Sequence, residues 1–333
     1  MRRREFITLL GGTGLLCACN AKWARAQQRT MPVIGFLSPI SADGASLFLE
    51  GYRLGLKETG FVDGQNVKIE YRWADGHYDR LPALAAELVK MRVSIIATMG
   101  DAAYAAKAAQ STGGDRDLIP IVFGMGDDPV ATGLVTSLNR PGGHLTGVTS
   151  FGHALGKKKL ELLRQLVPSA TRFGLLVNSS QAGVMEVRDI EQAAHMLGLE
   201  TQILRARSIN EIDAAFETVS RERLDALIIT VDTFLYSQSG RLGSLAARHS
   251  LPTIASLRPF TAAGGLMIYN GSVRDAVVQQ AIYTGRILKG EKAADLPVQL
   301  PTKYDLVINL KSARALGLDV PPGLSALADE VIE

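Results

Sequence analysis

Short polar segments follow the apolar runs of this chain, and their side chains are the ones best suited to chemistry. Asp101, Asp127, Asp128 and Asp232 supply carboxylates, which can accept hydrogen bonds from an ammonium group. Hydroxyl and amide groups lie beside them. The segments are Ser38–Ser41, Thr98–Asp101, Gly124–Asp128, Asn178–Ser180, Asp232–Phe234 and Ser256–Arg258. These residue types predict binding of a small polar or zwitterionic molecule.

Helix capping is the alternative interpretation of each segment. Ser, Thr, Asn and Asp are preferred at helix N-caps whatever the function of the protein. A free helix N-terminus also favours a carboxylate, because its N–H groups are unpaired and its dipole is positive. The binding hypothesis therefore depends on all the segments meeting at one edge of a sheet, and not on any single residue.

No catalytic or cofactor motif is present. The chain has no G-x-S-x-G elbow, and Gly124–Gly126 continues into Asp127-Asp128-Pro129, which is not a dinucleotide fingerprint. Gly156-Lys157 lacks the surrounding residues of a phosphate-binding loop. Adjacent loop carboxylates such as Asp127 and Asp128 rarely point to one spot, so we do not assign them to acid–base catalysis. We expect a protein that is not an enzyme, without a cofactor.

Histidines and lysines give no better candidate for a metal or catalytic site. No histidine pair has metal-ligand spacing. The five positions are His77, His144, His153, His195 and His249. Lys157, Lys158 and Lys159 are most simply interpreted as the solvated start of a helix. We predict no metal site.

Apolar strands alternate with amphipathic helices, which predicts parallel sheets covered on both faces. Predicted strands include Val33–Leu37, Val93–Thr98, Phe173–Val177 and Ala226–Val231. A short helix is predicted from Val130 to Leu138. The alternation of strands and helices begins again after a boundary near Ser150–Gly156, which predicts two similar doubly wound lobes.

The C-terminal part does not continue this alternation of strands and helices, and it is too short for a third domain. A strand near Leu266 is followed by a helix from Val273 to Leu288 and by an extended stretch. We expect the chain to return to the first lobe and then to the second, which gives three hinge crossings. The predicted lobes are 31–149 plus 265–292, and 150–264 plus 293–333. In such α/β sheets ligands bind beyond the carboxyl ends of the strands.

Residues 1–26 have the pattern of an export signal. Arg2, Arg3 and Arg4 precede a mainly apolar run of about 14 residues, shorter than the roughly 20 of a membrane-spanning helix. The small-x-small site ending at Ala26 predicts cleavage there. Leu16–Cys19 also resembles a lipobox, in which Cys19 would carry a lipid anchor. We favour the cut after Ala26, and we predict a periplasmic protein.

The leader accounts for the excess of positive charge and for both cysteines. It contains five basic residues and one acidic residue, and without it the chain has 31 basic and 32 acidic residues. The basic isoelectric point is therefore no argument for a nucleic-acid partner. Because both cysteines lie in the leader, the folded part of the chain has no cysteine for a disulfide or for thiol chemistry.

Long strings of this sequence resemble those of the periplasmic substrate-binding proteins of ABC transporters. The group includes tryptophan- and phenylalanine-binding members. The resemblance runs essentially end to end and includes RRREFITLLGG, IGFLSP, VKIEYRWADGHYDRLPALAAELV, PIVFGMGDDPVATGLVTSLNRPGGHLTGVT and RILKGEKAADLPVQLPTKYDLVINLKSARALGL. It implies a type I periplasmic-binding fold with a ligand cleft between the lobes. It also implies delivery of the ligand to permease subunits that work with an ATPase.

The resemblance also implies positions for the ligand contacts. In the first lobe these would be Ser38, Thr98, Gly100, Asp101, Ala102, Asp127 and Asp128, and in the second lobe Asn178 and Asp232. Phe234 or Tyr104 could add an apolar or stacking wall. Met99–Ala102 departs from the usual G-x-P-A, and Asn178-Ser179 departs from Asn-Pro. Because these changes lie at the predicted cleft, the ligand of a relative cannot simply be transferred.

The resulting hypothesis is a solute receptor for an amino acid or a small organic acid. An exported sensory module that passes ligand occupancy to a membrane receptor is the alternative with the same fold. A secreted α/β enzyme is a third possibility, but no motif supports it. Membrane contact is expected only through an anchor at Cys19.

Overall fold

The computed structural model describes residues 31–111, 118–150, 155–178 and 180–333. The predicted export signal, including Cys19 and Ala26, lies outside these residues. The described chain forms two sheets with helices on their faces.

The first sheet contains five strands, all of them parallel. They are β1 (Val33–Ser38), β2 (Lys68–Trp73), β3 (Ile95–Met99), β4 (Ile121–Met125) and β5 (Leu145–Thr149), in the order β2-β1-β3-β4-β5. The connecting helices are α1 (Ser46–Glu58), α2 (Leu81–Lys90) and α3 (Ala102–Ala108). Every residue of β3 and of β5 is buried, as expected for strands covered on both faces.

The second sheet contains seven strands and repeats the topology of the first. They are β6 (Arg172–Val177), β7 (Glu200–Arg205), β8 (Ala226–Ile229), β9 (Thr253–Ala255), β10 (Met267–Gly271), β11 (Tyr304–Asn309) and β12 (Glu330–Ile332). Their order is β12-β11-β10-β9-β8-β6-β7. The part β7-β6-β8-β9-β10 has the same winding as the first sheet. The prediction of two similar doubly wound lobes is therefore confirmed.

The helices of the second half lie between and after these strands. They are α4 (Gly156–Leu166), α5 (Gln181–Met196), α6 (Ile209–Glu222), α7 (Thr233–Ser237), α8 (Ser239–Arg248), α9 (Arg258–Ala262), α10 (Val273–Leu288), α11 (Leu310–Ala315) and α12 (Pro322–Leu327). Among the residues that the structure describes, no helix is long and apolar enough to cross a bilayer.

The predicted lobe boundaries are wrong at two places. Residues 265–292 were assigned to the first lobe, but β10 pairs with β9 and β11 of the second sheet. Residues 293–299 were assigned to the second lobe, but they pair with the first: Thr146 Oγ1 donates to the carbonyl oxygen of Leu296, and Val298 N to that of Leu138. Buried apolar side chains on both segments explain these positions.

Helix α10 lies on the first lobe, as predicted, and gives the chain its three crossings. Gln280 Nε2 donates to the main-chain oxygens of Thr98 and Val122, which belong to β3 and β4. Gly55 of α1 lets the two helices approach closely, since a Cβ there would lie 2.2 Å from the oxygen of Val278. The crossings lie between β5 and α4, between β10 and α10, and between residue 299 and β11.

The predicted helix at Val130–Leu138 is wrong, because the segment forms successive turns. The Asp128 carboxylate accepts hydrogen bonds from the main-chain N–H groups of Val130 and Ala131 and so closes the first turn. Gly133 then adopts φ +70°, a left-handed conformation that interrupts a helix.

Candidate ligand-binding site

A cavity lies between the two sheets at the carboxyl ends of their strands. Its volume is about 70 Å³, small beside the roughly 300–1,000 Å³ of typical small-molecule sites. The first lobe contributes Gly100, Asp101 and Asp127, and the second contributes Ser180 and Asp232. Three of the predicted carboxylates therefore converge here from two different sheets.

Asp101 belongs to the first lobe, but its carboxylate is held by the second. It directly precedes α3, and its Oδ2 accepts a hydrogen bond from Gln181 N, the first residue of α5, at 3.3 Å. Burial, together with the nearby carboxylates of Asp127 and Asp232, raises the pKa of Asp101 to about 7. A proton or a cationic ligand group is thus favourable at this side chain.

Asp232 follows β8 and is fixed mainly by its own lobe. Its Oδ1 accepts from Leu235 N at 2.9 Å, which caps α7, and from Asn178 Nδ2 at 3.2 Å. The Tyr78 hydroxyl, from the first lobe, donates to its Oδ2 at 3.0 Å. Burial raises the pKa of Asp232, and these hydrogen bonds oppose that shift.

Asp127 is the most enclosed carboxylate of the first lobe, with an exposed fraction of 1%. The Tyr104 hydroxyl donates to its Oδ2 at 2.5 Å. Burial and the Asp127 charge raise the pKa of Tyr104, so the phenol stays protonated and remains a donor. The Thr149 hydroxyl donates to the main-chain oxygen of Asp127 at 2.5 Å, which ties the loop to the end of β5.

The two walls of the cavity contact each other at positions where one wall has a glycine. Gly100 has φ +51°, and a Cβ there would lie 2.5 Å from Thr233 Oγ1 of the other lobe. A Cβ on Gly126 would lie 2.5 Å from Val231 Cγ1. The lobes are therefore in a closed arrangement, and a side chain at either position would push them apart.

The charge of the cavity is entirely negative among its described lining residues. Asp101, Asp127 and Asp232 carry carboxylates, while the described residues that line the cavity include no lysine, arginine or histidine. In the described part of the chain, no group of His, Cys, Asp and Glu has the arrangement of a metal site. The negative charge of these lining residues suits an organic cation, because a charge of opposite sign is favourable beside buried carboxylates.

Six predicted site residues do not line this cavity, and three of them, Ser38, Thr98 and Ala102, serve the structure of the first lobe. The Ser38 hydroxyl accepts a hydrogen bond from Ile40 N and stabilises its own loop. Thr98 is fully buried, and its main-chain oxygen accepts from Gln280. Ala102 packs into the core of the first lobe.

The remaining predicted residues lie around the cavity. Asp128 is half-buried and closes the turn described above. Asn178 and Phe234 line a wider interlobe groove of about 610 Å³, together with Tyr78 and Arg207. The Tyr78–Asp232 hydrogen bond lies at the boundary between this groove and the acidic cavity.

Sequence reasoning missed several residues of the site. Tyr78 forms the direct interlobe contact with Asp232, and Tyr236 and Gln280 line the cavity. Tyr78 lies in a single 3-10 turn, Tyr78–Arg80, whose sequence carries no binding motif. Its role depends on the approach of the lobes, which periodicity does not reveal.

Lys159 is the clearest error among the charged residues. We predicted a solvated helix start at Lys157–Lys159, but Lys159 is fully buried and forms an ion pair with Glu186 at 2.8 Å. Lys157 is exposed and Lys158 is partly exposed, as expected. One face of α4 is thus directed into the second lobe.

The family model described as "ABC transporter substrate binding protein" matches residues 33–332. The chain is 24% identical over 300 residues to a tyrosine-binding protein from Clostridioides difficile, covering 90% of this chain and 84% of that protein.

Solved structures share the fold. A domain from Streptococcus pneumonia in complex with L-Trp is 26% identical, with a TM-score of 0.78, and the match covers 90% of this chain and 99% of that one. A conserved domain protein from Vibrio cholerae is 23% identical, with a TM-score of 0.80 and the same coverage. These similarities confirm the predicted type I periplasmic-binding fold, and this chain belongs to the ABC transporter substrate-binding protein family.

Proposed function

We propose that this protein is an extracytoplasmic solute receptor of an ABC importer, which binds an amino-acid-like ligand between its lobes. The observation that carries the proposal is the convergence of three carboxylates, from both lobes, on one cavity whose described lining residues include no cationic side chain. Asp101 and Asp127 approach from the first lobe, and Asp232 from the second. An ammonium group there can donate hydrogen bonds to carboxylates of both lobes at once.

The ligand would stabilise the closed form because it bridges the two walls. Only a ligand with higher affinity for the closed form can shift the equilibrium towards it. A positive group between Asp101 and Asp232 meets this condition, since the two carboxylates repel one another in the closed form. The permease with its ATPase would then recognise the closed shape and receive the ligand.

The relatives support the class of ligand. One is described as a tyrosine-binding protein, and another was solved with L-Trp bound. A ligand as large as an aromatic amino acid would need lobes further apart than they are here, because the cavity is only about 70 Å³. The charge of the cavity selects for the ammonium group, and the degree of closure would select for the size of the side chain.

Export completes the proposal. Phe6 follows Arg2–Arg4 at twin-arginine spacing, so the leader would direct the protein to the periplasm by the twin-arginine route. It would be cut after Ala26 or lipidated at Cys19. The intact mass of the mature protein distinguishes these two forms.

A matched panel of compounds tests the ligand class. For tyrosine, tryptophan, alanine and lysine, we would compare the L-amino acid with its deaminated acid and its decarboxylated amine by thermal shift and calorimetry. We expect compounds that keep the ammonium group to raise the unfolding temperature, and the deaminated acids to have no effect. Binding of a deaminated acid as tight as that of its amino acid, or no binding in the panel, would contradict the proposal.

A further inference from the structure

The second lobe contains a buried ion pair outside the cavity, between Lys159 of α4 and Glu186 of α5. Both side chains are fully buried. The Lys159 ammonium donates to Glu186 Oε1 at 2.8 Å, to Ser256 Oγ at 3.0 Å and to the main-chain oxygen of Ile229 at 3.3 Å. Its three N–H groups thus reach three different segments of the lobe.

Glu186 extends the network to the cavity wall. Its second oxygen, Oε2, accepts a hydrogen bond from Val231 N at 2.5 Å. Val231 directly precedes Asp232, and its own carbonyl oxygen accepts from the Ser180 hydroxyl at 3.4 Å. The ion pair therefore joins the end of β8, the segment after β9 and the first turns of α5.

Two of the joined elements make the contacts with the first lobe. The segment 231–233 carries Asp232, which contacts Tyr78, and Thr233, which lies against Gly100. The N-terminus of α5 carries Gln181, whose N–H donates to Asp101.

A small residue at the start of α4 allows this arrangement. A Cβ on Gly156 would lie 2.8 Å from Ile190 Cγ1 and 2.9 Å from Glu186 Cγ. The close approach of α4 to α5 at this point brings Lys159 and Glu186 within reach of each other.

Burial of this pair is not explained by stability alone. Replacing a buried ion pair with well-packed apolar residues of similar volume is often neutral or stabilising. An apolar pair, however, has no directional contact with Ser256, with Ile229 O or with Val231 N. An apolar pair would therefore not hold these three groups in fixed positions.

We propose that Lys159 and Glu186 are positioning residues, which hold segment 231–233 and the N-terminus of α5 in the relative position that closure of the lobes requires. This inference rests on the proposed function, because closure is the step at which a receptor of this kind captures its ligand. It concerns residues that do not touch the ligand.

Disulfide trapping measures closure without any ligand. In the closed form, a Cβ on Gly44 of the first lobe would lie 3.0 Å from Ser237 Cβ of the second, so Gly44→Cys with Ser237→Cys gives a pair within reach of a disulfide. The full chain would also carry Cys17→Ser and Cys19→Ser, so that the introduced pair supplies the thiols. The rate of disulfide formation then reports how often the lobes close correctly.

Two variants separate positioning from folding. In Lys159→Met/Glu186→Leu, the apolar pair should keep the urea midpoint close to that of the reference while disulfide formation slows by about fivefold or more. Lys157→Met, on the exposed side of the same helix, should change neither value. An unchanged trapping rate in the double variant would overturn the proposal.

A milder variant covers the case in which the double variant does not fold. Ser256→Ala removes one acceptor of Lys159 and leaves the charges paired, and we expect trapping to slow by about twofold. No slowing in Ser256→Ala would count equally against the proposal. Because no ligand is added, an error in the proposed ligand class would leave this result unaffected.

Discussion

The two walls of the cleft present the same chemical group in different ways. The Asp232 carboxylate of the second lobe accepts hydrogen bonds from Leu235 N and Asn178 within its own lobe. The Asp101 carboxylate of the first lobe has, among the residues that the structure describes, Gln181 N of the opposite lobe as its hydrogen-bond partner. One carboxylate is therefore positioned before the lobes meet, and the other is positioned by their meeting.

This difference assigns separate roles to the two lobes. A preformed wall offers the ligand a fixed group, which lowers the entropy cost of binding. A wall that is completed on closure contributes its charge only in the closed form, so it controls the balance between open and closed forms. We infer that the second lobe receives the ligand first and that Asp101 responds to its presence.

The largest expected effect comes from filling the contact between the walls. Gly100→Ala places a Cβ 2.5 Å from Thr233 Oγ1 in the closed form, so we expect disulfide trapping at positions 44 and 237 to slow by about tenfold. Gly100 has a positive φ, so Gly100→Ala should also lower the free energy of unfolding by about 1 kcal/mol. Gly133 has a positive φ as well, and Gly133→Ala should lower the free energy of unfolding by the same amount.

Gly133→Ala is the matched control, because nothing lies within 4 Å of a Cβ at that position. It should leave the trapping rate unchanged. Equal trapping rates for the two variants would show that the walls do not need to meet at Gly100. This result would contradict the separate roles that we assign to the two walls.

A smaller effect is expected from the charge of Asp101. Its ordinary pKa of 3.8 rises to about 7 in the closed form, where Asp127, Asp232 and the Tyr78 hydroxyl surround it. A carboxyl with a raised pKa binds an extra proton in the closed form, so closure is favoured in acid and this contribution is lost as the pH rises from about 4 to about 7. We expect closure of the ligand-free protein to weaken by about 1–2 kcal/mol between pH 5 and pH 8.

Small-angle scattering against pH checks this sign. The radius of gyration of the unmodified protein should increase between pH 5 and pH 8, and Asp101→Asn should remove most of the increase. Asp128→Asn keeps the unmodified pH dependence, because Asp128 lies in a turn outside the cavity. An increase of the same size in Asp101→Asn would mean that another group controls closure.

Part of this site could be predicted from the sequence. The carboxyl ends of parallel strands lie at one edge of a sheet, and this rule led to Asp101, Asp127 and Asp232 without any contact information. The same periodicity predicted most strands of both sheets, among them β1, β3, β6 and β8, but not β12. Both predictions depend on local pattern, which a single sequence contains.

The parts that failed depend on packing between distant segments. Lys159 has the same residue type as Lys157 and Lys158, and its burial follows from the approach of α4 to α5 at Gly156. Strand β10 belongs to the second sheet because it pairs with β9 and β11, while the following helix α10 returns to the first. Tyr78 reaches Asp232 only when the lobes approach each other.

A crystal structure of the protein purified with its ligand from the exported fraction of cells tests the central claim most directly. We expect a cationic nitrogen of the ligand about 3 Å from a carboxylate oxygen of Asp232 and from one of Asp101 or Asp127. A ligand whose carboxylate or phosphate occupied that position, or one confined to the groove beside Arg207, would contradict it.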